Sequence, residues 1–370
     1  MTTATMLVDA TRQAAAVRLA HWTLPGFFLG ALCEAVALAY FWGSGGAAAA
    51  RDRLRRRFTS AFAIRFSFGA LLAAIARLAA LPAAFYLYRV ERIMGLTAEL
   101  TRWWGLAYIA HTLLATIVAG MIAAVILWLV DRTHQWYLYA ILVIFVASLS
   151  WALAEPYVEL VGARYRPPPI SLAQNFHELA VRAGHPEVAV LVRAGRAGQS
   201  EGAVVPGVGG LRRIVISRGL LDEGMDDARY AVAFQLGHIV HGDNFSIALV
   251  EAAIIVVGAA LSVVIADRIG FRRDDDPLSR LALVGALLAI VYIVAVPVRN
   301  VALRSEDAYA DRFAVALTND KAGTVNAIVH ETNRRLDEVC PEMLATVFIT
   351  TRPAPGEVIA HIAGIPSGCP

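Results

Sequence analysis

The chain has 370 residues, of which 58% are hydrophobic and 17% charged, with a mean hydropathy of +0.58. That is more apolar surface than a soluble chain of this length needs to fill a core, and it excludes an ordinary soluble domain. The net charge of +3 is carried almost wholly by arginine, reads as genome composition, and gives no reason to expect nucleic acid as a partner.

Met1 to Ala20 lack the basic segment, apolar core and small-residue cleavage site of a signal peptide, so the first apolar run is read as a retained span. A helix needs roughly 20 mostly apolar residues to cross the hydrocarbon core, and six stretches qualify. They run from about Trp22 to Trp42, Phe62 to Tyr88, Trp104 to Val130, Trp136 to Val158, Ile247 to Ile265 and Leu281 to Val298. Trp103, Trp104, Trp136 and Tyr137 sit at run ends, where amphipathic rings prefer the interface. Arg65 and Arg77 in the second stretch, and Glu251 in the fifth, are costly unless they face the bundle or reach the interface.

Two segments do not read as membrane. The first opens at Arg164-Tyr165-Arg166-Pro167-Pro168-Pro169 and continues as an amphipathic helix, Leu172 to Ala183, ended by Gly184. Short strands follow at Val188 to Val192 and Ile214 to Ser217, then a helix from Leu220 to His241 with acidic residues near its start. The second is the tail from Arg299, mostly helical to Asp337. The expected architecture is a mostly α membrane protein of about six spans with a small α+β domain split by a two-helix membrane hairpin. Its parts are 1–161 (four spans), 162–246, the hairpin 247–298, and 299–370. Cys33, Cys340 and Cys369 are odd in number and unpatterned, which argues against a disulfide framework and a thiolate zinc site.

One helix carries chemistry: Ala231-Val232-Ala233-Phe234-Gln235-Leu236-Gly237-His238-Ile239-Val240-His241-Gly242-Asp243. It resembles the zinc helix of the CAAX prenyl protease type 1 and HtpX families, where HExxH places two zinc histidines on one helical face beside a glutamate that activates water. Their third ligand is a glutamate in an ExxAD segment after a membrane hairpin, matched here by Asp307-Ala308-Tyr309-Ala310-Asp311. Tyr88-Arg89-Val90-Glu91-Arg92 resembles the family's YxxER segment, Arg212 to Leu221 its strand and turn before the zinc helix, and Arg352-Pro353-Ala354-Pro355-Gly356-Glu357-Val358-Ile359 a decayed HPPxxERI. The long N-terminal membrane region favours the CAAX-type branch. His177-Glu178 is no second motif, because Val181 stands where the partner histidine would be.

The departures converge on one site. Phe234 stands at the first zinc histidine and has no lone pair to give; Gln235 stands at the general base and cannot take a proton from water. Asp307 replaces the glutamate ligand with one methylene less reach, and Gly202-Ala203 sits where the family has Asn-Ala on its substrate edge strand. Asp311 matches a residue that buttresses a zinc histidine; its alternative is a surface carboxylate paired with Arg312 or Arg304.

Zinc is the cofactor the resemblance implies, but only His238 and Asp307 remain as conventional ligands, with His241 at i+3 as a substitute. The expected function is a catalytically impaired, pseudoprotease-like member that binds a peptide or membrane-protein partner. The alternative is an active membrane metalloendopeptidase with a rearranged site of His238, His241 and Asp307. A multi-pass protein of a bacterial inner membrane is expected. The arginines at 51, 53 and 55–57 would put the domain outside by the positive-inside rule, whereas the resemblance implies a cytoplasmic domain, and the resemblance is given precedence.

Overall fold

The computed structural model describes residues 2–158, 165–193, 203–204, 212–270 and 276–370. After a 3-10 turn (Ala4–Leu7), the apolar runs become α1 (Ala10–Gly43), α3 (Ala61–Ile93), α4 (Thr101–Arg132), α5 (Trp136–Val158), α9 (Asp243–Gly270) and α10 (Pro277–Thr318). Between the first two lies α2 (Gly46–Arg57), a 12-residue helix rich in arginine. Five of the long helices have apolar windows only 17–22% buried within the protein, so most of that surface is left for lipid. The sixth, α5, has 23 residues, enough for about 35 Å at the helical rise.

The three charges singled out inside the spans each meet another group. Arg65 on α3 pairs with Asp131 at the end of α4, and the guanidinium of Arg77 lies 5.0 Å from the ring centre of Tyr108. Glu251 on α9 accepts from Arg299 Nε on α10 at 2.7 Å, which ties the hairpin together rather than leaving a carboxylate in lipid.

The domain is built on a four-stranded sheet in the order β1 (Tyr165–Arg166), β2 (Ala189–Arg193), β4 (Arg213–Ser217), β3 (Ala203–Val204). Strands β2 and β4 run parallel, and β1 and β3 pair antiparallel at the two edges. Helix α6 (Ile170–Arg182) covers one face, its Phe176 and Leu179 packing with Val190, Val192, Ile214 and Ile216. The expected helix from Leu220 to His241 is in fact two, α7 (Arg218–Glu223) and α8 (Met225–His241). Gly224 separates them at φ 157° and ψ 168°, a conformation that only glycine adopts freely.

Helix α8 is the keystone because it is buried on both sides. Val232 and Leu236 join the sheet core, while Tyr230, Ala233 and Phe234 join a second core with α10, α11 (Lys321–Arg335) and α13 (Pro355–Ala363). At 42 residues α10 is about 63 Å long, twice the hydrocarbon core, so its second half leaves the membrane and enters the domain without a break near residue 298. There Gly237 of α8 meets Ala310: a Cβ on the glycine would stand 2.9 Å from the Ala310 Cα. Gly237→Val is therefore expected to force the helices apart at a cost of about 1–3 kcal/mol. Thermal unfolding in detergent checks this, and an unchanged midpoint would mean the two helices are not in contact.

The cysteine expectation is corrected. Cys340 and Cys369 form a disulfide with Cα atoms 5.4 Å apart, and Cys33 on α1 stays free. The pairing arises because the chain folds back after α11 and α13, which spacing in sequence does not reveal.

Candidate functional site

The close approach at Gly237 sets the site. Phe234 and His238 stand one helical turn apart on the face of α8 turned to α10, their rings 4.7 Å apart and edge to face. Asp307 reaches from α10, with its Oδ1 3.4 Å from His238 Nε2. The two segments flanking the membrane hairpin thus do bring this pair together. The other imidazole nitrogen, Nδ1, lies 2.6 Å from Asp243 Oδ2. Asp243 follows the left-handed Gly242 that ends α8, and its second oxygen takes His241 Nδ1. The His241 ring stacks on Tyr309 at 4.3 Å.

On the remaining side lies Arg352, in the connection between α12 (Met343–Phe348) and α13. Its Nε is 3.2 Å from Asp307 Oδ2, its Nη1 2.7 Å from Glu331 Oε1 on α11, and its guanidinium carbon 4.7 Å from the centre of the Phe234 ring. Burial alone would favour loss of its proton, but Glu331, Asp311 and Asp307 surround it and hold the guanidinium charged. A cation now stands against the carboxylate at the third ligand position, over the ring that replaces the first ligand.

Burial likewise would raise the Glu331 carboxyl, but the guanidiniums of Arg352, Arg335 and Arg334 outweigh it and hold it below its ordinary value. A depressed folded pKa contributes stability that is complete above the unfolded value of about 4.3 and is lost as pH falls through the folded one. The stability gap between wild type and Glu331→Gln should therefore be widest near neutral pH and close below about pH 4. Thermal midpoints of both proteins across that range measure it, and a gap that widens on acidification would contradict the ion pair.

Asp311 accepts from the Tyr230 hydroxyl at 2.5 Å, and the role of orienting His238 goes to Asp243. Arg304, the alternative partner expected for Asp311, donates instead to the carbonyls of Thr346 and Thr350. Gln235 is half-buried on α8. Ala203 lies on the edge strand β3, and Gly202 lies outside the described residues. Sequence reasoning missed Asp243, Glu331 and Tyr230, and gave Arg352 no place in the site. Only Asp243 had a local signal, a carboxylate directly after the glycine that stops the histidine helix.

Zinc takes nitrogen, sulfur or carboxylate donors, four in structural sites and three plus water in catalytic ones. His238 Nε2 and Asp307 are two such donors, and Asp307 already faces a cation. His241 is turned to Tyr309 and Asp243, and Phe234 offers nothing. Among the described residues no three His, Cys, Asp or Glu side chains are grouped to hold a metal ion. The donor set does not fit zinc.

Beside this cluster is a cavity of about 280 Å³, near the lower end for small-ligand pockets. Tyr230, Asp311, Glu331 and Arg352 line its polar side, and Leu19 of α1, Leu96 and Ile349 line its apolar side.

The family model for peptidase family M48 matches residues 170–363, and one described as CAAX prenyl protease N-terminal, five membrane helices, matches 13–158. The uncharacterized metalloprotease YhfN of Bacillus subtilis (strain 168) is 24% identical over 308 residues, 79% of this chain and 71% of that protein. The crystal structure of S. mikatae Ste24p aligns with a TM-score of 0.69 at 17% identity, over 82% of this chain and 77% of that one, a likeness of fold. With the M48 match spanning more than half of its length, from α6 through α8 to α13, and the membrane match covering the helices before it, the chain belongs to peptidase family M48 as a multi-pass membrane protein of the CAAX protease type.

Proposed function

We propose that this chain no longer cleaves peptides and uses the inherited frame to hold a polypeptide or membrane-protein segment. The observation that carries the reading is Arg352, whose guanidinium sits on Asp307 and over Phe234. Metal-assisted hydrolysis needs a cation with an open coordination position and a base for its water. Here the positive charge is a fixed side chain with no position to offer, and Gln235 supplies no base. The frame around them is intact, and the cavity beside Arg352 gives apolar and polar surface for a bound segment.

The purified protein is expected to hold well under one zinc per chain by elemental analysis. It should also show no chelator-sensitive cleavage of unstructured or CAAX-type peptides. Stoichiometric zinc lost in His238→Ala, or cleavage abolished by Asp307→Ala, would overturn this reading and establish the rearranged site of His238, His241 and Asp307 instead.

A further inference from the structure

We propose that the metalloprotease-like domain lies on the extracytoplasmic side of the membrane, so that its partners are exported polypeptides or outward-facing parts of membrane proteins. This reverses the cytoplasmic placement implied by the family resemblance, and it does not depend on whether the site is catalytic.

The geometry first fixes which parts share a side. Ala4 N donates to Pro366 O at 3.0 Å, and the Gln13 side chain bonds Asp337 O and Val339 N, so the start of α1 sits against the domain. At the other end of the bundle, Arg55 of α2 pairs with Asp276 at the α9–α10 turn at 2.7 Å, and Arg65 pairs with Asp131. Helix α2, with its row of arginines, therefore lies at the far end and does not cross. Of the five helices in the stretch matched as five membrane helices, four cross, and an even number returns the chain to the side from which it started.

Two independent observations then say which side that is. Short connections rich in arginine stay in the cytoplasm, because moving them outward works against the membrane potential and the anionic inner leaflet. The far end carries Arg51, Arg53, Arg55, Arg56 and Arg57 in α2, Arg132 at the end of α4, and Arg268 and Arg280 at the adjoining ends of α9 and α10. The connection 94–100 at the domain end carries no lysine or arginine. The competing Arg12 and Arg18 at the start of α1, Arg89, Arg92 and Arg102 on the turns flanking that connection and Arg166 after α5 are fewer and scattered. The second observation is the Cys340–Cys369 disulfide within the domain. Such bonds persist in oxidising compartments and are kept reduced in the cytoplasm.

The test uses the full chain in bacterial protoplasts, in a Cys33→Ala background, with a membrane-impermeant maleimide. Glu178→Cys, exposed on α6, should label in intact protoplasts, and Thr59→Cys, exposed after α2, only once the membrane is opened. The reverse pattern would overturn the proposal. Separately, the wild-type chain unfolded without reductant should offer one reactive thiol, rising to three after reduction. Three before reduction would put the domain in a reducing compartment and overturn the proposal too.

Discussion

Arg352→Ala is expected to lower the stability of the protein by about 3 kcal/mol, the low end of the 3–5 kcal/mol typical when one partner of a buried ion pair is removed. The low end applies because the arginine side chain keeps 20% of its surface exposed, toward the cavity, and water can enter in its place. What remains would be Glu331, Asp307 and Asp311 facing one another with their shared cation gone. The contact with the Phe234 ring would be lost as well, worth about 0.5–2 kcal/mol in such settings and included in the total. For a 370-residue chain unfolding as one unit, at about 2.1 cal/mol/K per residue, the loss corresponds to a fall in thermal midpoint of about 4 °C. Arg352→Lys should recover only part of it, because a single ammonium cannot reach Asp307 and Glu331 as the planar fork does. The exposed Arg312→Ala is the control, and a loss at Arg352 no larger than at Arg312 would remove this arginine from the site.

The parts of the fold legible in the sequence are those with local causes. Long apolar runs bounded by charge gave the six long helices, four of them to within about five residues at each end, while α1 begins 12 residues earlier and α10 runs 20 residues further than the apolar run alone marks. The strands β2 and β4 followed from short apolar segments between glycine-rich turns. The pairing of His238 with Asp307 is not local, since they lie on either side of the hairpin; the motif carried it, because each matched a ligand position on its own helix. The rest had no such carrier. Arg352 meets Phe234 across 118 positions, and nothing around an arginine in a decayed HPPxxERI segment says that it fills a ligand's place. The two-helix break at Gly224 was hidden by the periodicity running through it, and the Cys340–Cys369 bond by the odd count of cysteines. Asp311 matched a buttressing position but accepts from Tyr230, while Nδ1 of His238 is met by Asp243.

Restoring the ligand set is expected to raise zinc affinity by at least about 100-fold, since even outer contacts around a metal are worth 10–100-fold and here a missing direct ligand is supplied. Phe234→His returns the second histidine to the face of α8 that carries His238, Asp307→Glu adds the methylene of reach, and Gln235→Glu returns a base beside them. These three changes alone should fall short, because Arg352 would still hold a positive charge against the third ligand and repel the ion. Adding Arg352→His removes that charge, at the price of leaving Glu331 without its closest partner. The fourfold variant should therefore be less stable than wild type when metal-free and regain stability as zinc is added. Competition with a chromophoric chelator measures the affinity, and unfolding with and without zinc measures the linkage. Cleavage need not return with the metal, because Gly202-Ala203 also departs from the family's substrate edge. If the threefold and fourfold variants bind zinc equally, Arg352 is not what keeps metal out. If neither binds more than wild type, α8 and α10 do not present these positions to a common point, and the site geometry itself is wrong.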